Sequence, residues 1–107
     1  MSEQKLKTRC YYTDYVNHMV RFYLSTPETL QMTGKRKADV GNWIAVQDVW
    51  RKLGTEDRKK LEKIYKAHYR LAEGVRIFCD ETGADEYKTW VLVTKTLSTI
   101  AKRRGLV

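Results

Sequence analysis

The sequence predicts an all-α protein, a compact bundle of about five helices that closes with a helix-turn-helix at its C-terminal end. Three observations carry this expectation. Apolar residues recur at spacings of three and four along most of the chain. A single proline is present, and no stretch shows the alternation of a half-buried strand. The 107 residues suit one domain around one core, residues 1–107, with no internal repeat or low-complexity segment to divide them.

The first helix is expected from Tyr11 to Leu24, where Tyr12, Tyr15, Val16, Met19, Phe22 and Tyr23 form one apolar stripe. Ser25-Thr26-Pro27-Glu28 breaks it, with Thr26 placed to cap a short new helix and Pro27 in its first position. Residues Gln31 to Lys37, "QMTGKRK", lack periodicity and read as a loop with a basic tip. Lys35, Arg36 and Lys37 are candidate phosphate contacts there; a solvated turn is the alternative.

A second helix is expected from about Ala38 to Leu53, with Val40, Trp43, Ile44, Val46, Trp50 and Leu53 in the core and Gly54 as its stop. Thr55 reads as the hydroxyl cap of a third helix, followed by Glu56 and Asp57 facing the positive end of the dipole. That helix reaches about Tyr69 and buries Leu61, Ile64, Tyr65 and His68. Leu71 to Thr82 forms the fourth, burying Leu71, Val75, Phe78 and Cys79 before Gly83 turns the chain. Asp85 to Arg104 is the fifth, with Trp90, Val93, Leu97 and Ile100 on one face. The two parts are thus residues 11–53 and 55–107 of one helical domain.

Composition narrows the function. With 42% hydrophobic residues the chain can build a core, which argues against wholesale disorder. Lys and Arg number 21 against 13 Asp and Glu, a net charge of +8, and such an excess favours a polyanionic partner because neutralising phosphates releases counterions. Solubility of a small domain is the competing explanation. Cys10 and Cys79 stand far apart in no metal-binding spacing, so free thiols in a reducing cytoplasm are expected rather than a disulfide. With a polar start and no long apolar run, a cytoplasmic protein without a membrane partner is the expectation.

Enzyme chemistry needs convergent groups of tunable acidity. His18 and His68 fall on separate helices among aromatic residues, and no metal-binding, phosphate-loop or nucleophile-elbow pattern is present. No catalytic residue, metal ligand or cofactor is assigned. Asp80-Glu81 lies near a helix end, where negative charge is unfavourable, and reads as a solvated turn or a partner contact.

The last two helices carry the sharper signal. A helix-turn-helix unit needs a small residue where its helices cross, a glycine for the left-handed turn, and apolar residues flanking it. Cys79, Gly83, Phe78 and Ala84 meet these needs. After Gly83 the match slips: the inward position falls on Thr89, while the apolar residue is Trp90, so a turn longer by one residue is expected. With Trp90, Val93 and Leu97 inward, Tyr87, Lys88 and Lys95 face outward to reach phosphates or base edges. Val91 and Leu92 on that face either touch thymine methyls or are covered by another helix. Lys102, Arg103 and Arg104 suit the negative helix end and would equally grip phosphate.

The stretch "GTEDRKKLEKIYKAHYRLAEGVRIFCDETG", a capped helix, a short link and then the two-helix unit, resembles the promoter-reading C-terminal domain of sigma factors. More narrowly, Leu53 to Leu106 resembles the C-terminal part of small phage-encoded activators of the ArpU/RinA type. The resemblance implies transcriptional control of late or lytic genes, with Tyr87, Lys88 and Lys95 at the DNA and the basic tail beside them. Double-stranded DNA is then the expected partner, with RNA polymerase and a second copy of the chain as further ones. The aromatics Tyr11, Tyr12, Tyr15, Phe22 and Tyr23 read first as core, and those in excess of one stripe, with the pair Trp43 and Trp50, would supply the homodimer interface. The alternative function is a non-enzymatic interaction module, a transcription-machinery adaptor or phage assembly factor.

Overall fold

The computed structural model describes residues 12–25 and 37–106, and every regular element among them is a helix. The order is α1 Thr13–Ser25, α2 Lys37–Lys52, α3 Thr55–Ala67, α4 Leu71–Thr82 and α5 Glu86–Arg104. Helix α1 packs on α2 and α5, α2 lies along α5, and α3 packs on α4, which in turn meets α5. The core therefore runs continuously from Val16, Met19 and Val20 of α1 to Val93, Leu97, Ile100 and Ala101 of α5. The all-α bundle expected from periodicity is present. Cys10, Tyr11, the Thr26–Pro27 break, and the loop residues through Arg36 lie outside the described residues.

Burial corrects the expected stripes in α1 and α2. Tyr15 is 45% exposed, because its hydroxyl accepts a hydrogen bond from Asn42 Nδ2 at 2.9 Å on the bundle's rim; Val20 takes the interior place. In α2 the buried face is Asn42, Trp43, Ala45, Val46, Val49 and Trp50, while Ile44 is 47% exposed. The reason is geometric. A helix wedged between two neighbours buries one broad face at spacings of three and four, and Ile44 falls opposite it. Val40 and Leu53 are half-buried. Trp43 and Trp50 pack around Tyr23, with ring centroids 5.2 and 6.0 Å away. Both tryptophans are consumed by the core, not offered to a dimer partner.

The ends of α3 also differ from expectation. Gly54, in extended conformation, is the N-cap and no side chain caps it; Thr55 is the first helical residue. At the other end α3 stops at Ala67, two residues short of Tyr69. Arg21 of α1 accounts for this. Its guanidinium donates to the carbonyl oxygens of Tyr65 at 3.0 Å, of His68 at 2.8 Å, and of Tyr69, taking up acceptors that a helix end leaves without partners. His68 is half-buried, not buried; its Nδ1 accepts the Arg70 N–H at 2.9 Å and its ring stacks on exposed Tyr69.

Helix α4 has the expected bounds. Its Gly74 presses against the backbone of Ile64, and a Cβ there would run into the Ile64 carbonyl oxygen. Only glycine lets α3 and α4 approach this closely. Leu71 is half-buried beside Val75, Phe78 and Cys79. Gly83 then adopts φ 74°, and its N–H closes on the Cys79 carbonyl at 2.8 Å, a left-handed stop that other residues adopt at a cost. Asp85 caps α5 by accepting the Lys88 backbone N–H at 2.8 Å. Among the described residues, no helix is long and apolar enough to cross a membrane.

Candidate nucleic-acid interface

The crossing of α4 and α5 decides which side of α5 looks outward. Thr89, Val93, Thr96, Leu97, Ile100 and Ala101 are buried, and Trp90 is half-buried at the edge. The expected slip of one residue does not occur. Only Gly83, Ala84 and Asp85 separate the helices, and Thr89 itself faces α4. Its polarity is accommodated there: the hydroxyl donates to the Asp85 carbonyl at 2.8 Å and lies 3.5 Å from Cys79 Sγ, whose S–H points to it. A threonine able to return its hydroxyl to the preceding turn is a satisfied core residue.

This phase separates Val91 from Leu92. Leu92 packs against the core, whereas Val91 is 47% exposed. Outward with Val91 point Lys88, Lys95 and Lys102, all exposed and spaced seven residues apart. Seven residues are close to two turns, so these ammonium groups form a line along α5 with a rise of about 10 Å between neighbours. Tyr87, 77% exposed, stands beside the first of them. Beyond Glu86 in the first turn, α5 contains no carboxylate. None of the three lysines makes an ion pair among the described residues.

The basic ending is divided. Arg103 donates from Nε and from its terminal nitrogen to Asp48 Oδ2 of α2, at 3.0 and 2.6 Å. Arg104 Nε donates to Asn42 Oδ1 at 2.6 Å, and its guanidinium lies over Gly41. Asn42 passes the contact to Tyr15 of α1, so one polar chain joins α5, α2 and α1. Both arginines are thus turned toward α2, away from the lysine line. Lys35 and Arg36 lie outside the described residues, as does the Lys37 side chain.

A second basic surface went unread in the sequence. Lys59, Lys63 and Lys66 are exposed on α3, directly opposite buried Leu61, Ile64 and Tyr65, and Lys60 is exposed beside them. Their spacing of four and three was the available signal. On α4, Arg76 holds Glu73 at 2.5 Å and Asp80 at 3.9 Å. The hydrogen bond and charge of Arg76 keep the Glu73 carboxyl below its ordinary range, and Glu73 raises Arg76 in turn. No three metal-ligating side chains converge among the described residues.

Comparison of the chain with protein-family models, with curated proteins and with solved structures finds no match.

Proposed function

We propose that the chain is a double-stranded-DNA-binding transcriptional regulator of the small phage type, with α4 and α5 as its helix-turn-helix. The observation that carries this reading is the line of Lys88, Lys95 and Lys102 on a helix face without carboxylates. A helix lying in the major groove presents such groups to the phosphates on its flanks. Tyr87, beside the first lysine, and Val91, between the first two, are exposed and offer the apolar contact that a thymine methyl takes. The short turn, the left-handed Gly83 and the contact of Cys79 with Thr89 support the two-helix reading. Arg103 and Arg104 serve it indirectly, by anchoring the end of α5 to α2. RNA polymerase is the further partner that this reading proposes.

Binding to a pool of random duplex DNA at two salt concentrations, with sequencing of the retained molecules, tests it. A regulator recovers a motif. Changing Lys88 and Lys95 to Ala then lowers duplex affinity about tenfold or more and removes about two phosphate contacts from the salt slope. Unchanged binding by a folded double variant rejects α5 as the reading helix.

The second reading, an interaction module, rests on the exposure of Tyr87 and Val91. Val91→Asp discriminates, because Val91 lies outside the core: it abolishes a protein complex in one case and weakens only DNA binding in the other.

A further inference from the structure

A groove between α3 and α4, lined by no residue of α5, has a different chemistry from the lysine line. Lys63, Lys66 and Ala67 form its α3 bank, and Ile77, Phe78, Glu81 and Thr82 its α4 bank, around about 520 Å³. Phe78 is buried and Ala67 and Ile77 are half-buried, so the floor is apolar; Lys63, Lys66 and Glu81 stand exposed on the rims. None of these three makes an ion pair among the described residues. Lys59, one turn before Lys63, extends the positive bank.

The arrangement discriminates among occupants. A nucleic-acid backbone gains from the lysines but leaves an apolar floor unused and meets Glu81 across the groove. A protein segment uses all three parts, since interfaces pair an apolar anchor with charges at the rim. A second copy of this chain is disfavoured by its +8 charge; its acidic pairs Glu56-Asp57 and Asp85-Glu86 already serve helix starts.

We infer that the α3–α4 groove docks an acidic amphipathic segment of another protein. An aliphatic or aromatic side chain rests on Ile77 and Phe78, neighbouring carboxylates meet Lys63 and Lys66, and a cation beyond the anchor meets Glu81. The inference is independent of duplex reading by α5.

Selection from a random peptide library on the immobilised full chain, followed by fluorescence anisotropy of a selected peptide, tests this. The expected consensus is acidic, then apolar, then basic. Lys63→Glu with Lys66→Glu weakens binding at least about tenfold, and Glu81→Lys exchanges the basic consensus position for an acidic one. All three side chains are exposed, so circular dichroism should report intact folding in each variant. The Lys88→Ala, Lys95→Ala variant binds the peptide like the unaltered chain. No enrichment, or a consensus indifferent to Lys63 and Lys66, overturns the inference. So does displacement of the peptide by random duplex DNA, which would assign the groove to nucleic acid. A consensus matching this chain's own sequence, with dimers in sedimentation, would assign it to a second copy and overturn it equally.

Discussion

Cys79 and Thr89 meet where α4 crosses α5, with Sγ 3.5 Å from Oγ1, so Thr89 shares the buried face of α5 with Val93, Leu97 and Ile100. Because Thr89 faces inward, Lys88 on one side of it and Val91 two residues on are turned out. The hydroxyl also returns to Asp85, whose carbonyl accepts the Thr89 backbone N–H as well. Thr89→Val therefore leaves no orphaned acceptor and should change stability by less than about 1 kcal/mol. Thr89→Leu overfills the crossing and should cost about 1–3 kcal/mol. Urea titration of both variants measures the pair; equal stabilities would remove residue 89 from the crossing.

At the α3–α4 contact, helix propensity and packing pull in opposite directions. Alanine is the better helix former by about 1 kcal/mol, yet Gly74→Ala drives its Cβ into the Ile64 carbonyl. The helices must separate to admit it, and the net result should be a loss of about 2 kcal/mol or more. A gain in melting temperature would show that the two helices are free to part.

Tyr65 ties stability to alkaline pH. Burial pushes its hydroxyl well above the ordinary tyrosine value, while the Arg21 cation over its ring works weakly the other way. The neutral hydroxyl donates to Asn17 Oδ1 at 2.6 Å. A raised folded value means the stabilisation is complete below the unfolded value, about 10, and is lost as pH rises beyond it. Tyr65→Phe should be somewhat less stable at neutral pH, because Asn17 loses its donor, and should decline less steeply above about pH 10. Denaturation curves at rising pH give the comparison; parallel declines would mean that Tyr65 ionises freely in the fold.

Lys102 and Arg103 are adjacent yet should behave differently. Lys102→Ala should lower the log–log salt slope of duplex binding by about one contact and leave stability within about 0.5 kcal/mol. Arg103→Ala opens a partly exposed ion pair with Asp48 that contributes under about 1 kcal/mol, and should alter the salt slope less. Reversed slopes would place the arginine, not the lysine, at the phosphates.

Much of this was legible before folding was considered. The bounds of α4, the turn at Gly83 and the start of α5 at Asp85 follow from local chemistry: a left-handed glycine and a carboxylate that caps its own helix. Such signals act over a few residues, so the sequence carries them in place. The five-helix class follows from apolar spacing for the same reason.

The rotation of each helix was decided only in the tertiary structure. Ile44 and Ala45 are neighbours, and the smaller is buried because α1 and α5 close on its side of α2. Thr89 displaced Trp90 from the innermost place because a short turn and Cys79 leave room for a threonine. Arg103 and Arg104 read locally as free positive charge, but their partners Asp48 and Asn42 stand 55 and 62 residues earlier. The sequence alone determined the helical class, the bounds of α4 and that the chain is basic. Which basic groups remain available to a partner depended on contacts between distant residues, and those exist only once the helices are packed.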